Sequence, residues 1–501
     1  MDTQRYIAQP DGAKLVILEA GQLRVCALDL KPEWSVGRAD PASGNMPDIS
    51  FSSMIVSRKH GWLSNVEGQW YFVDNPENLN GTFYNGTLIE RPLQGRKKSV
   101  PLTSGDVLRI DNKDLNHVSR DGVLMLFTTQ NAAGNWAVQP LRETTVIGRD
   151  PGCDICEPLP HISAKHAQIR YLNGRFYLSD CGSRAGTFLN GKAVTESVML
   201  REKDVIAICD CSYIFLGDKL LYIRRNRKQE QNALYSTVPG QRPVILRADI
   251  DTKRVKDNNG NGMKELIRDI HLEIRQGTLV ALLGTAGAGK STVMNCLNGM
   301  DLEGVQGRVL YRDVDLMKHF DQMKYLIGSV PQKKVFHKTF TPEQEFRLAA
   351  QKRLPADTTK REIEERVDKT LEMLSMTGVR RNRNSKLSGG EQTRVNVGIE
   401  LVADRDLLCL DEPDQGLSPN YKHELFAIMR NLAHKNGKSV LSIIHDVSEI
   451  DMFDQVIMLA KVDGVGRLAF SGSPEDARKF FGVDIRDAYA LLERDPKRFV
   501  K

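Results

Sequence analysis

Nine consecutive residues, Gly284, Thr285, Ala286, Gly287, Ala288, Gly289, Lys290, Ser291 and Thr292, sit between the apolar run TLVALL and the helix-forming run VMNCLNGM. Glycines at this spacing let backbone N–H groups close around phosphate oxygens without a Cβ in the way, and the helix that follows adds its positive end. Lys290 can then neutralise the β- and γ-phosphates of a nucleotide, while the Ser291 hydroxyl can ligate Mg²⁺. Further along, LLCLDE from Leu407 to Glu412 is an apolar strand ending in two carboxylates. Asp411 and Glu412 suit holding a metal's water shell and polarising an attacking water. Between these two motifs lies LSGGEQ, from Leu387 to Gln392, and after them comes His445.

A second set of chemical residues recurs in the first 220 positions. Gly-Arg occurs at Gly37–Arg38 and Gly148–Arg149. Ser-x-x-His follows at Ser57–His60 and Ser163–His166, then NGTFYNG from Asn80 and AGTFLNG from Ala185. Order and spacing repeat apart from one short insertion in the first copy, so two tandem domains are expected.

The elements that must position these residues differ between the halves. AKLVILEAG, LRVCALDL, QWYFVDN, GVLMLFTT, GRFYLSD and SYIFLGD are short alternating apolar runs between turn residues, the pattern of β-sandwiches. From about residue 245, strands such as TLVALLG and SVLSIIH alternate with helix-periodic segments such as KREIEERVDKTLEML. That alternation predicts an α/β domain around a mostly parallel sheet. The expected organisation is multidomain: all-β domains at 1–130 and 131–224, a polar linker at 225–244, an α/β domain at 245–486 and a C-terminal tail at 487–501.

Composition excludes several classes. Hydrophobic residues make up 41% and charged ones 27%, which rules out wholesale disorder. A net charge of +6 over 501 residues does not call for nucleic acid. No run approaches the ~18 apolar residues of a membrane span, and MDTQRYIAQPDGAK lacks an apolar signal core. Eight cysteines in this length fit a reducing compartment better than a disulfide framework. Cys153, Cys156, Cys181, Cys209 and Cys211 are expected as buried small hydrophobes rather than zinc ligands. The basic run Arg224, Arg225, Arg227 and Lys228 is expected as solvated linker, with contact to anionic lipid the alternative. Thr237 is an ordinary linker threonine, with phosphorylation the alternative.

Phosphate loop, Gln332, LSGGEQ, LDEP and a late histidine, in that order, resemble the nucleotide-binding domain of ABC ATPases. TFTPEQEFRLAAQKRLP, RVNVGIEL and FDQVIMLAKVDGVGRLAFSGSPEDARKFF resemble the G subfamily of ABC transporters. This resemblance covers roughly residues 245–484. It implies ATP and Mg²⁺ as cofactors and two such domains packed head to tail. Ser388 and Gly390, with Gly389 between them, would meet the partner's γ-phosphate. Gln332 would join Ser291 and Asp411 at the metal, Glu412 would be the general base, and His445 would hold the γ-phosphate and the water. Two features depart from the family pattern: Ser236 to Gly284 contains no aromatic residue to stack on adenine, and Gly416-Leu417-Ser418-Pro419 stands where the family reads Gly-Leu-Asp.

The repeated β-domains resemble forkhead-associated (FHA) domains, whose loops bind phosphothreonine. A phosphate dianion wants a guanidinium fork with hydroxyl, amide and backbone donors on rigid loops. By matching position, Arg38 and Ser57 would contact phosphate, Arg58 would add charge and Asn80 would bond the peptide backbone, whereas His60 and Gly81 would shape the loops. The second copy keeps Arg149 and Ser163 but has Ala164 and Ala185 in place of Arg58 and Asn80, so it is expected to be weakened or structural. Together these resemblances imply the ATP-hydrolysing part of a phosphorylation-regulated transporter, an exporter. It would sit on the cytoplasmic side against a membrane domain in a separate chain or in a missing C-terminal part. Its partners would be a second nucleotide-binding domain and a phosphothreonine protein or Ser/Thr kinase, with no nucleic acid. The alternative is a soluble signalling scaffold with no transport.

Overall fold

The computed structural model describes residues 12–20, 22–28, 31–66, 68–84, 87–89, 98–102, 106–112, 122–128, 136–201, 204–223, 242–256, 262–312 and 314–500. The basic run at 224–228 and Thr237 lie outside them. The chain divides into two compact units: Met1–Pro140 with Leu200–Ile206 and Ser212–Arg224, and Leu141–Met199 with Ala207–Cys211 and Arg225–Lys501.

In the first unit, one sheet orders the strands Ile49–Phe51, Glu33–Arg38, Gly61–Val66, Gln69–Asp74 and Lys98–Leu102. Alternation sets its faces: along Gln69–Asp74, Trp70, Phe72 and Asp74 turn inward. The facing sheet runs Gln22–Ala27, Lys14–Glu19, Val123–Thr128, Val107–Asp111, Gly81–Tyr84 and Thr87–Leu88. Leu15, Ile17, Trp34, Leu63, Trp70 and Phe127 share the core between them. The strand VLMLFT, Val123–Thr128, is buried along its whole length, because its outer face also packs: Val16, Leu124 and Leu126 meet Ile214, Leu216 and Leu221. That double burial explains its continuous apolar run.

The second unit holds the other repeat's sheet, ordered Ile155–Cys156, Thr144–Gly148, Ala167–Leu172, Arg175–Asp180 and Val198–Met199. It also holds a ten-stranded sheet that buries one hydrophobic cluster on each face. Strand Leu279–Gly284 lies central in that sheet, parallel to Ser439–Ile443 on one side and Gln455–Val462 on the other. Leu407–Asp411 and Ile327–Val330 continue the parallel half. Half the sheet departs from the expected parallel pattern. Val244–Lys256 and Met263–Arg275 form a long antiparallel hairpin, extended antiparallel by Val305–Tyr311.

Helices Pro342–Arg353, Lys360–Met373 and Gly389–Leu401 each start with a capping box, at Thr341, Thr359 and Ser388. In each, the cap side chain and the residue three further on satisfy each other's backbone N–H, so these helix starts are closed. Residues 487–501, expected as a tail, are largely ordered. Helix Ile485–Arg494 seats Ile485, Ala488 and Leu492 in the core, an i, i+3, i+7 apolar stripe. The cysteine expectation also needs correcting. Cys209 and Cys211 are buried, but Cys156 and Cys181 are exposed.

Candidate nucleotide site and phosphate-reading loops

The phosphate loop leaves the C-terminal end of the buried strand Leu279–Gly284 and enters helix Lys290–Leu297. Gly287 and Gly289 have φ of 70° and 84°, in the left-handed region where a Cβ is strained. Unlike the three boxed helices, this one has no side-chain cap: Gly289 is its N-cap. Its first N–H groups therefore stay free for an anion, and Ser291 on the first turn is exposed. Lys290 Nζ curls back to donate to Gly284 O at 2.9 Å. Burial lowers its pKa, and the negative charges of Glu412 and Asp411 partly offset that.

The two adjacent carboxylates, Asp411 and Glu412, stand at the end of Leu407–Asp411. Burial, with the like charge of Glu412, raises the Asp411 pKa against the pull of His445 and Lys290. Glu412 has φ of 46°, uncommon for a residue with a side chain. Its carboxylate is held from both sides: His445 Nε2 lies 2.6 Å from Oε1, and Gln332 Nε2 donates to Oε2 at 2.8 Å. Gln332, Glu412 and His445, 113 residues of chain from first to last, thus converge on one carboxylate. Gln415 completes the group and was missed from the sequence. It accepts from Gln332 Nε2 at 3.0 Å and donates to Glu412 Oε2 at 3.2 Å. The only signal for it was its place three residues after Glu412. Lys461 was also missed; its Nζ is 3.4 Å from where a Cβ on Gly287 would lie, adding a cation beside the loop.

Ser388, Gly389 and Gly390 are elsewhere in the domain. Ser388 accepts from Glu391 N and caps helix Gly389–Leu401, and Lys334 Nζ donates to Gly389 O at 3.1 Å. Among the described residues they make no hydrogen bond to the phosphate loop or to Glu412.

The two Ser-x-x-His loops are built alike, which gives the repeat a physical basis. A Cβ on Gly37 would fall 2.2 Å from Arg58 O, and one on Gly148 would fall 2.2 Å from Ala164 O, so both strands need glycine where the Ser-x-x-His loop crosses. Arg38 N donates to Ser57 O and Arg149 N to Ser163 O, each at 2.9 Å. Ser57 N donates to His60 Nδ1 and Ser163 N to His166 Nδ1, each at 3.1 Å. His60 Nε2 therefore carries the proton and donates to Thr82 Oγ1 at 3.0 Å. Fully buried, His60 titrates at about 4, so it is a neutral brace for the loop, as expected. Burial likewise lowers the His166 pKa, although Gly186 O, Asp180 and Asp357 oppose it.

The arginines differ. Arg38 Nε is buried without a hydrogen-bond partner, and its Nη1 has only Met54 Sδ at 2.9 Å, a weak acceptor. Arg58 is largely exposed and pairs with Asp40 at 2.7 Å. Asn80 Nδ2 donates to Ile55 O at 2.7 Å, tying its strand to the loop. Arg149, in contrast, is occupied: Nε donates to Ile162 O at 3.1 Å, Nη1 bonds Glu362, and Nη2 lies 3.7 Å from Asp357.

The ABC transporter family matches residues 267–415, and the FHA domain family matches twice, at 34–111 and 145–209. The chain carries an ABC-type ATPase domain behind two FHA domains. It is 32% identical over 351 residues, 70% of its length, to the ABC transporter ATP-binding/permease protein Rv1747 of Mycobacterium tuberculosis, and covers 38% of that protein. Against ABC transporter G family member 26 of Arabidopsis thaliana it is 29% identical over 228 residues, 44% of this chain and 32% of the relative. The chain thus spans well under half the length of either relative. The solved structure of cbiO1 from Clostridium perfringens, part of the ABC transporter complex cbiONQ, matches with a TM-score of 0.40 and 24% identity, covering 50% of this chain and 99% of that one. Among the described residues no helix is long and apolar enough to cross a membrane.

Proposed function

We propose that this chain binds and hydrolyses ATP for an ABC exporter and that its first FHA domain reads phosphothreonine. The observation that carries the first part is the convergence of Gln332, Gln415 and His445 on Glu412, in the same domain as an uncapped, lysine-bearing helix start. The G-family relatives, and the words ATP-binding/permease in the name of the Mycobacterium tuberculosis relative, support a transport role.

The site fits a nucleotide and its metal. Gly284 to Ser291 present backbone N–H groups and Lys290 to the phosphates. Ser291, Asp411 and Gln332 offer the oxygen donors that would hold Mg²⁺, a hard cation. Bound there, Mg²⁺ would neutralise phosphate charge. Glu412 accepts the proton of the attacking water. His445 and the two glutamines fix the orientation of its carboxylate, so the base is aimed before substrate arrives. Ser388, Gly389 and Gly390 stand apart from this group, which supports a working site completed by the signature of a second nucleotide-binding domain.

Glu412→Gln keeps the shape and removes the base. Turnover should fall about a hundredfold or more while ATP binding persists, leaving an ATP-trapped dimer visible by size-exclusion chromatography. Hydrolysis at the native rate in that variant would refute the role of Glu412.

For the FHA part, the Arg38 Nε of the first loop, buried without a hydrogen-bond partner among the described residues, supports phosphate capture. The occupied Arg149 supports a different use for the second.

A further inference from the structure

The second FHA loop faces carboxylates of its own chain. Segment Pro355 to Thr359 joins helices Pro342–Arg353 and Lys360–Met373 of the ATPase domain, and the side chains of Asp357, within it, and Glu362, on the first turn of the second helix, end on the loop. Glu362 accepts from Arg149 Nη1. Asp357 accepts from Ala164 N at 2.6 Å and lies 3.7 Å from Arg149 Nη2. A guanidinium and a backbone N–H of the Ser-x-x-His loop are thus spent on acidic oxygens, the same donors a phosphate would use. Glu362 does two jobs: Oε1 meets Arg149, while Oε2 accepts from Thr359 N at 2.8 Å and closes the helix cap. Two further pairs join the repeat to the ATPase domain: Tyr325 Oη donates to Arg184 O at 2.7 Å, and Arg312 Nη1 reaches Asp210 at 3.3 Å.

We infer that the second FHA domain is a latch on its own ATPase domain, with Asp357 and Glu362 taking the place of phosphate at Arg149. The latched segment leads into helix Lys360–Met373, whose Val367 and Leu371 share one core with Phe346 and with Val395 of the signature helix. The latch therefore braces the helices that carry Ser388. Any phosphorylated segment must displace two carboxylates before it reaches Arg149.

Hydrogen–deuterium exchange on the full chain tests this. The double variant Asp357→Ala/Glu362→Gln alters no residue of the FHA domain, and the amide oxygen that replaces the carboxylate at position 362 can still accept from Thr359 N and keep the cap. Exchange in residues 161–167 should speed up about tenfold, while the strand Ala167–Leu172 beyond its first residue stays protected. Arg149→Ala should in turn speed exchange in 355–363. If 161–167 in the double variant stays within twofold of the native chain, the latch does not exist. The readout is independent of phosphopeptide binding, so failure here would leave the reading of the first FHA domain standing, and the reverse also holds.

Discussion

The two FHA loops share a frame to within a tenth of an ångström in the backbone bonds that brace Arg38 and Arg149, yet their arginines meet opposite circumstances. Arg38 has a buried, unsatisfied Nε and a thioether neighbour, and Arg149 has two carboxylates and a carbonyl. An unsatisfied buried donor costs free energy that a ligand oxygen recovers, whereas a paired one must first be released. Under the proposed readings the same motif serves as a receptor in one copy and a clamp in the other, and the surrounding charge rather than the loop makes the difference.

The sharpest way to break this contrast is to exchange the arginines for alanine. Arg38→Ala should abolish binding of a phosphothreonine peptide by the full chain. Arg149→Ala should leave that affinity within about twofold. A peptide titration by fluorescence anisotropy distinguishes them, and survival of binding after Arg38→Ala would erase the distinction. The affinity should also decline as pH falls through about 6, where phosphate loses its second charge.

Next in size is the brace itself. His60 titrates at about 4 in the folded chain, against an ordinary value of about 6.5. Because folding disfavours the protonated ring, this contribution is fully present above pH ~6.5 and is lost as pH falls towards 4. The first sandwich should lose up to about 3 kcal/mol over that window. Trp34, Trp62 and Trp70 all lie in this sandwich, so denaturant unfolding followed by tryptophan fluorescence reports it. A midpoint independent of pH between 7 and 4.5 would mean that His60 is not held neutral.

Smaller effects rank the contacts within the first loop. Ser57→Ala should weaken the peptide about tenfold, the loss of one charge-assisted hydrogen bond. Arg58→Ala should cost only about threefold, because its guanidinium is exposed and already shared with Asp40. The reverse ranking in the same titration would place the phosphate nearer Arg58 than Ser57.

Much of the molecule was legible as sequence, and the legible parts are local. The glycines of the phosphate loop, the apolar strands and the Ser-x-x-His brace each close their defining bonds within a few residues, or repeat at constant spacing. The hairpin of Val244–Lys256 and Met263–Arg275 is not legible in the sequence. Charged residues fill its outer face, and register shifts at Val244/Leu246 and Lys253/Arg254 break the alternation a strand normally shows.

By itself, then, the sequence determined two β-sandwiches, an α/β nucleotide domain and the residue types of its phosphate loop, because periodicity and backbone sterics act over short spans. Only the tertiary structure decided which side chains share a carboxylate and which arginine is paired with carboxylates of its own chain. Glu362 meets Arg149 across 213 residues, and Ala164 meets Asp357 across 193. Gln332 reaches Glu412 across 80 residues, and His445 reaches it across 33. Pairings at such separations leave no pattern along the chain, because a surface charge reads the same whether its partner is water, a phosphate or another loop of the same fold.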